Sequence, residues 1–261
     1  MIKLRERSSL SRDTVMKLKD KVAVITGAGG YLGRGMALRF AEEGARVMVN
    51  DKTLEKAKET VDLVAARKGH ALSHGADVTK TNEVNDMITK VIKEWGKIDI
   101  LVNNAGDIRD ALLINMSDED WDYVIDLNLK GSFICARAVV PYMVERGYGK
   151  IVNISSIAYK GNIGQVNYAS AKAGVVGLTR TLGLELARYG ITVNCVAPGL
   201  IDTPETRTLD SKTIERIVQK TPMRRMGEVI DIANTVLFFV SDDSKYITRQ
   251  TIHITGGIEG S

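Results

Sequence analysis

Cysteine is scarce in this chain of 261 residues. Only Cys135 and Cys195 are present, which excludes a framework of disulfide bonds. The two thiols do not form a CxxC pair, and neither is close in sequence to the three histidines. No metal site is therefore predicted. No apolar run reaches the roughly 18 residues of a membrane-spanning helix, and the N-terminus lacks the apolar segment of a secretory signal. The sequence therefore predicts a cytoplasmic protein in a reducing compartment.

An excess of basic over acidic side chains is confined to the N-terminus. Residues 1–21 carry seven basic and three acidic side chains, whereas the two signs balance over residues 22–261. The basic segment has no interleaved aromatic residues and no repeat, which argues against nucleic-acid or membrane binding. We expect a flexible, solvated extension over residues 1–16 and one domain over residues 17–261, because no low-complexity linker divides the chain.

From residue 22 onward, short β-branched apolar runs alternate with longer segments of helical period. This alternation predicts an α/β protein with a parallel sheet covered by helices on both faces. The expected strands are Val22–Thr26, Arg46–Asn50, Ala71–His74, Ile98–Val102, Ile151–Ser155, Thr192–Val196 and Thr251–Ile254. The expected helices lie near 32–43, 53–67, 80–95, 118–146, 166–189 and 228–241. Periodicity is weakest over residues 199–227, where we expect an irregular loop that closes over substrate.

A glycine-rich loop follows the first predicted strand and leads into a helix. It reads Thr26-Gly27-Ala28-Gly29-Gly30-Tyr31-Leu32-Gly33. Glycines let such a backbone turn tightly and approach a pyrophosphate at the helix N-terminus, where free N–H groups favour an anion. The loop therefore predicts a dinucleotide site, although a glycine-rich turn without a ligand is the alternative.

Asp51 indicates which dinucleotide is bound. It lies just past the second predicted strand, 24 residues after Gly27. There a carboxylate can accept hydrogen bonds from the ribose hydroxyls of NAD and would repel the 2′-phosphate of NADP. The neighbouring Lys52 could weaken that preference, and an acidic residue at a strand end is often only a helix cap. NAD is the expected cofactor, with NADP as the alternative.

Tyr168 and Lys172 form a candidate catalytic pair. They lie four residues apart in a predicted helix, so their side chains share one face. An ammonium group favours a nearby phenolate and should lower the pKa of Tyr168 from its usual value of about 10 toward neutrality. Tyr168 is thus a candidate general acid/base. Taken alone, a Tyr–Lys pair at this spacing is far more often a surface contact.

Together these features resemble the short-chain dehydrogenase/reductase family of classical type, and within it the 3-oxoacyl-[acyl-carrier-protein] reductases. The resemblance covers residues 17–257. Besides the glycine loop it rests on Asp77-Val78, Asn103-Asn104-Ala105-Gly106, Leu127-Asn128-Leu129-Lys130-Gly131, Ser155-Ser156, Tyr168-Ala169-Ser170-Ala171-Lys172 and Pro198-Gly199-Leu200-Ile201-Asp202-Thr203. It implies a single-domain Rossmann fold, with a doubly wound, seven-stranded parallel sheet, and a homotetramer.

The resemblance also implies a catalytic set of Asn128, Ser156, Tyr168 and Lys172. In the family, the tyrosine transfers a proton, the lysine holds the nicotinamide ribose, the serine positions the substrate oxygen and the asparagine holds a relay water. Ser155 is the alternative to Ser156, because it has the family's usual spacing from Tyr168. Since side chains alternate along a strand, only one of the two serines can point at the site, and we expect Ser156.

By the same resemblance, several segments bind the cofactor. The implied residues are Gly27, Gly30, Tyr31, Leu32 and Gly33 in the loop, Asp51, Asp77, Val78, Asn104, Ala105, Gly106, Tyr168, Lys172, Pro198, Gly199, Ile201 and Thr203. Asp77 and Val78 would contact the adenine, and Ile201 and Thr203 the nicotinamide carboxamide. Tyr31 departs from the pattern, since classical members usually have glycine there.

The expected function is NAD(P)(H)-dependent hydride transfer between a secondary alcohol and a ketone, with a 3-hydroxyacyl/3-oxoacyl thioester as substrate. Carrier-protein reductases have arginines at two positions where this chain has Gly147 and Tyr189, which weakens the assignment of a carrier-protein substrate. A polyol, a sugar or another secondary alcohol is therefore the alternative. A non-catalytic dinucleotide sensor is a remote one, because the chain keeps the complete catalytic set.

Overall fold

The computed structural model describes residues 16–259, so nearly all of the predicted N-terminal extension lies outside the described residues. Seven parallel strands form one sheet in the order β3-β2-β1-β4-β5-β6-β7. They are β1 Val22–Ile25, β2 Arg46–Asp51, β3 His70–Gly75, β4 Ile100–Asn103, β5 Gly149–Ile154, β6 Ile191–Pro198 and β7 Thr251–Ile254. The strand order reverses between β1 and β4, which leaves a crevice at their carboxyl ends. The predicted doubly wound Rossmann fold is confirmed.

Helices cover both faces of the sheet. They are α1 Tyr31–Glu42, α2 Leu54–Ala66, α3 Thr81–Trp95, α4 Asp118–Ile125, α5 Gly131–Arg146, α6 Val166–Leu186, α7 Ser211–Lys220 and α8 Val229–Val240. Within the described part of the chain, no helix is long and apolar enough to cross a membrane.

Alternating side chains of each strand supply two hydrophobic cores. In β1, Ala23 and Ile25 pack with α1 and α8 on one face, whereas Val22 and Val24 pack with α3 and α5 on the other. Because successive side chains point to opposite faces, a strand buried on both sides is apolar at most of its positions. This is why the continuous apolar runs were a reliable indication of the central strands.

The helix predicted over residues 118–146 is present, but it is not α-helical throughout. Asp126–Lys130 forms a π-helical turn that separates α4 from α5. Within this turn Asn128 Nδ2 donates to the Val124 carbonyl at 2.9 Å, so a side chain competes with the backbone for a helical acceptor. π-turns inside helices often mark functional sites, and this one places Asn128 beneath the crevice.

The irregular loop predicted over residues 199–227 also needs correction, because it contains α7. The Asp210 side chain caps this helix by accepting from the Thr213 backbone N–H at 3.1 Å. Ile214, Ile217 and Val218 supply a short apolar stripe, but each is only half-buried. The helix therefore forms from local signals and makes limited contact with the core.

Candidate active site

A cavity of about 430 Å³ opens at the carboxyl ends of the strands, where the strand order reverses. Its wall joins the glycine loop to the ends of β2, β4, β5 and β6 and to α6. The wall residues are Gly27, Gly30, Tyr31, Leu32, Gly33, Asp51, Asn104, Ala105, Gly106, Ile154, Ser155, Ser156, Tyr168, Lys172, Pro198, Gly199, Leu200, Ile201, Thr203, Glu205 and Thr206. The structure thus brings most of the predicted cofactor and catalytic residues into one space.

The glycine loop fits a dinucleotide because its backbone packs closely against β4. Gly27 has φ +62°, and a Cβ there would lie 2.8 Å from the Ala105 Cα. A Cβ on Gly33 would lie 2.6 Å from the Gly27 carbonyl oxygen. Asn104 Nδ2 fixes the loop by donating to the carbonyl oxygens of Thr26 and Gly27 at 2.9 and 3.1 Å. Larger residues would push this backbone out of the position that a pyrophosphate requires.

The end of the cavity at Asp51 presents a carboxylate that can accept hydrogen bonds from ribose hydroxyls. Asp51 lies on the wall, where one carboxylate oxygen accepts the Thr53 backbone N–H at 3.0 Å. Lys52 points to Asp77, with 3.0 Å between its Nζ and a carboxylate oxygen. Burial alone would raise the pKa of Asp77, but hydrogen bonds from Thr79 and Lys52 outweigh it, so this pKa lies below its usual value.

Two residues expected at the adenine do not line the cavity. Asp77 is engaged with Lys52, and Val78 is buried against α5, where a Cβ on Gly131 would meet its side chain at 2.8 Å. Their contact with adenine stays a prediction.

Tyr168 and Lys172 face each other on α6, as their spacing predicted. The Lys172 Nζ lies 5.4 Å from the centre of the Tyr168 ring and donates to the Ile154 carbonyl oxygen at 2.9 Å. Lys172 is only 3% exposed, whereas Tyr168 keeps part of its surface open to the cavity. The hydrogen bond to β5 therefore holds the ammonium beneath the tyrosine.

The pKa values differ from the sequence-based expectation. Burial raises the pKa of Tyr168 to about 12; the Ser156 hydroxyl opposes this rise, while Asp110 and Asp107 add to it. Burial also lowers the pKa of Lys172 to about 8. The expected shift of the Tyr168 pKa toward neutrality is therefore not found, because loss of solvent dominates this pKa.

The two candidate serines have different partners. Ser155 is buried, and its Oγ donates to the Lys172 backbone carbonyl at 2.9 Å. Ser156 instead hydrogen-bonds to Tyr168, and its Oγ accepts the Ala158 backbone N–H at 3.2 Å. Since neighbouring strand residues point in opposite directions, Ser155 supports α6 while Ser156 faces the tyrosine.

Asn128 lies beneath the cavity wall rather than on it. Its Nδ2 donates to the carbonyl oxygens of Val124 and Asp107, both at 2.9 Å. Its Oδ1 is buried and has no hydrogen-bond partner within residues 16–259. A Cβ on Gly106 would lie 2.5 Å from this oxygen and 3.4 Å from the Lys172 Nζ. A buried acceptor close to an ammonium is a position that favours a bridging water.

Sequence reasoning missed four wall residues: Ile154, Leu200, Glu205 and Thr206. Ile154 and Leu200 adjoin predicted site residues and could have been found by continuing along the strand ends. Glu205 and Thr206 lie in a turn after Thr203, whose Oγ1 accepts the Thr206 backbone N–H at 3.2 Å. Nothing in their residue types indicated a site.

A doubly wound sheet with a glycine loop and a Tyr–Lys–Ser cluster at its switch point defines a dinucleotide-binding oxidoreductase. Comparison with known proteins supports the same class of protein. A family model described as enoyl-(acyl carrier protein) reductase matches residues 27–259. The chain belongs to the short-chain dehydrogenase/reductase family, so it is an oxidoreductase acting on hydroxyl or ketone groups with a nicotinamide dinucleotide.

Curated relatives and solved structures match over nearly the whole chain. The (2S)-[(R)-hydroxy(phenyl)methyl]succinyl-CoA dehydrogenase subunit BbsD of Thauera aromatica is 48% identical, covering 93% of this chain and 98% of that protein. The 3-oxoacyl-[acyl-carrier-protein] reductase FabG of Staphylococcus epidermidis is 46% identical, covering 92% and 99%. Levodione reductase superposes with a TM-score of 0.88 at 35% identity, covering 92% and 98%. A putative gluconate dehydrogenase from Agrobacterium tumefaciens gives a TM-score of 0.91 at 32% identity, covering 95% and 99%. The predicted family is therefore confirmed.

Proposed function

We propose that this protein interconverts a 3-hydroxyacyl and a 3-oxoacyl thioester with NAD(H). The observation that carries the proposal is the single cavity that joins the glycine loop and Asp51 to Tyr168, Ser156 and Lys172. A dinucleotide lying along this wall would have its adenosine ribose near Asp51 and its nicotinamide near Tyr168. Hydride transfer and proton transfer would then occur at the same end of the cavity.

The chain's own residues supply the proton chemistry. When bound, the nicotinamide ring supplies or accepts the hydride. The pKa of about 12 keeps Tyr168 protonated at neutral pH, so its phenol can donate a proton to the carbonyl oxygen during reduction. The Ser156 hydroxyl holds that oxygen. Lys172 and the unpaired Oδ1 of Asn128 hold the water that returns a proton to Tyr168.

NAD is favoured over NADP by the charges at the ribose end. Asp51 presents a carboxylate to the cavity, which accepts ribose hydroxyls and repels a 2′-phosphate. Lys52, which could have attracted that phosphate, is directed to Asp77 at 3.0 Å. Asp51 therefore supports the expected preference for NAD over NADP.

The thioester substrate is supported by the names of the relatives. BbsD of Thauera aromatica is a dehydrogenase of a succinyl-CoA compound, and FabG of Staphylococcus epidermidis is a 3-oxoacyl-[acyl-carrier-protein] reductase. A polyol, sugar or other secondary alcohol is the second candidate, favoured by the structural similarity to a putative gluconate dehydrogenase and to levodione reductase. A non-catalytic sensor would have no use for the Tyr168–Lys172–Ser156 cluster.

Oxidation of NADH and of NADPH with acetoacetyl-CoA tests the proposal. Turnover with NADH supports both the thioester substrate and Asp51 as the selecting residue. Turnover with NADPH alone would contradict the role of Asp51. Absence of turnover with either cofactor would contradict the thioester proposal, and NAD reduction with polyols and sugars would then test the second candidate.

Tyr168→Phe is the matched variant for the chemistry. It keeps the ring and removes the hydroxyl that carries the proton. We expect turnover to fall by about 10²–10⁴-fold, with NADH affinity within about twofold of the wild type because the ring still forms the wall. A variant that kept most of its rate would show that another group transfers the proton.

We also propose a homotetramer, as the family resemblance implies. In support, α6 exposes small and apolar side chains at Ala173, Gly177 and Leu184, and α5 exposes Phe133. A row of small residues allows two helices to approach closely, and an exposed apolar face favours association. Light scattering that gave a monomer mass would contradict it. The cytoplasmic location stays a prediction from the sequence.

A further inference from the structure

Two segments of opposite charge border the opening of the cavity. Residues 107–126, which follow β4, carry seven acidic side chains and one basic side chain. Residues 211–225, which contain α7, carry five basic side chains and one acidic side chain. The two signs balance over residues 22–261, so this separation of charge is local. We call the first segment the acidic rim and the second the basic rim.

The acidic rim lies beside Tyr168. Its Asp107 carbonyl oxygen accepts a hydrogen bond from Asn128 Nδ2 at 2.9 Å. Its Asp110 carboxylate accepts from Gln165 Nε2 at 3.1 and 3.0 Å. Gln165 precedes Tyr168 by only three residues in the sequence. The acidic rim is therefore fixed to the segment that carries the tyrosine.

The basic rim lies on the other side of the opening. Thr206 belongs to the cavity wall, and α7 begins five residues after it. Beyond α7, the Met223 backbone N–H donates to the Gly256 carbonyl at 3.0 Å, just past the end of β7. Both ends of α7 are thus attached at the carboxyl edge of the sheet. Because β5 separates β4 from β6 and β7, the end of β5 at Ser156 lies between the two rims.

Three cations form a row on α7. Lys212, Arg216 and Lys220 follow one another at intervals of four residues, so they share one helical face over about 12 Å. All three are exposed, whereas Ile214 and Ile217 are half-buried against the protein. Within the part of the chain that the structure describes, none of the three forms an ion pair. Like charges at this spacing destabilise a helix, so the row has no structural benefit.

We propose that Lys212, Arg216 and Lys220 bind the phosphates of a coenzyme A thioester whose acyl group lies at Tyr168. The inference rests on the proposed thioester function and names the carrier of the acyl group. The pantetheine arm of coenzyme A leads from the thioester to a diphosphate and a ribose 3′-phosphate. Lysine and arginine bind phosphate oxygens through charge-assisted hydrogen bonds. The acidic rim would repel the same phosphates and direct them to α7.

A carrier protein matches this opening less well than coenzyme A. A folded protein that docks over the opening contacts residues on both sides of it. Whichever charge its surface has, one of the two rims has the same sign, and like charges across an interface are costly. The nucleotide of coenzyme A is small enough to contact α7 alone. The distribution of charge therefore favours coenzyme A as the carrier.

Steady-state kinetics with two thioesters tests the proposal. Acetoacetyl-CoA carries the phosphates, whereas S-acetoacetylpantetheine has the same thioester and arm without them. The triple variant Lys212→Gln/Arg216→Gln/Lys220→Gln should raise KM for acetoacetyl-CoA about tenfold, since each exposed charge pair contributes about two- to threefold. The KM for S-acetoacetylpantetheine, and kcat with both substrates, should stay within about twofold of the wild type. Added salt should raise KM for acetoacetyl-CoA in the wild type but not in the variant.

A matched control removes the same charge from the opposite edge of the sheet. Lys19, Lys68 and Lys93 are exposed and precede the amino ends of β1, β3 and β4. The triple variant Lys19→Gln/Lys68→Gln/Lys93→Gln should keep the wild-type KM for both thioesters. Arg216→Lys, which keeps the charge of the row, should also keep the wild-type KM for acetoacetyl-CoA.

The proposal is overturned if the α7 triple variant keeps the wild-type KM for acetoacetyl-CoA, or if the control variant raises that KM equally. An equal rise for S-acetoacetylpantetheine would also overturn it, because α7 would then act only through the shape of the cavity. So would a wild type that prefers an acetoacetyl carrier protein and a triple variant that loses only this preference. Failure of the proposed function is a different result, since the wild type would then turn over neither thioester.

Discussion

Replacing Lys172 with methionine should stabilise the folded protein at neutral pH while removing the ammonium that we propose takes part in catalysis. Lys172 is buried, and its pKa falls from 10.5 to about 8. That difference corresponds to about 3 kcal/mol that the folded state loses by keeping the lysine charged at pH 7. Methionine has similar length but loses the hydrogen bond to Ile154, worth about 1 kcal/mol. The expected net gain in the free energy of unfolding is about 2 kcal/mol.

The pH dependence separates this effect from ordinary packing. Above pH 8 the folded state has released the Lys172 proton, whereas the unfolded state keeps it up to pH 10.5. The unfolded state therefore binds more protons, and this group makes the wild type more stable as pH rises through that window. Between pH 7 and 9.5 the wild type should gain about 2 kcal/mol relative to Lys172→Met.

Urea unfolding of both proteins at the two pH values, at equal protein concentration, measures this difference. Lys93→Met, at an exposed position of α3, is the control whose difference from the wild type should not change with pH. If the difference between wild type and Lys172→Met were the same at both pH values, the buried ammonium would not have a lowered pKa.

Four variants of cavity residues give further predictions. Gly33→Ala should destabilise the protein by about 1–3 kcal/mol and weaken NADH binding, because its Cβ would lie 2.6 Å from a backbone oxygen; thermal unfolding and NADH titration measure both effects, and unchanged values would contradict the packing. Asp51→Ala should raise kcat/KM with NADPH about tenfold by removing a repulsive charge, and an unchanged NADPH/NADH ratio would refute that role. Ser156→Ala should lower kcat about 10²-fold with little loss of stability. Ser155→Ala should instead lower stability by about 1 kcal/mol and leave kcat nearly unchanged; the reverse pattern would exchange the two roles.

The sheet could be predicted because its signals are local. The strands β1 and β4 carry mostly apolar side chains on both faces, so each run is visible without knowing its neighbours. Boundaries were less accurate: the strand expected from Ile98 begins at Ile100. The helix expected over residues 118–146 is found, but its π-turn could not be predicted. The helical periodicity continues across this turn, and the hydrogen bond from Asn128 to Val124 becomes visible only in the structure.

Most of the predicted site residues lie together around the cavity, but the direction of the Tyr168 pKa shift was not predicted. The four-residue spacing of Tyr168 and Lys172 places both on one helical face, and the structure has them there. The expected lowering of the Tyr168 pKa failed because spacing carries no information about burial. The burial of these two side chains depends on the packing of α6 against β6, α4 and the turn over residues 157–160, which the spacing within one helix does not reveal.

The amino-acid sequence by itself determined the order of strands and helices, the glycine loop and the residue types at the reaction centre. These depend on neighbouring residues and on helix and strand periods. Only the tertiary structure decided that Ser155 bonds to the Lys172 backbone, that Lys52 forms an ion pair with Asp77, and that Arg207 forms one with Asp202. Each of these choices depends on which groups are close in space and how much water remains between them, and burial and distance are properties of the packed chain.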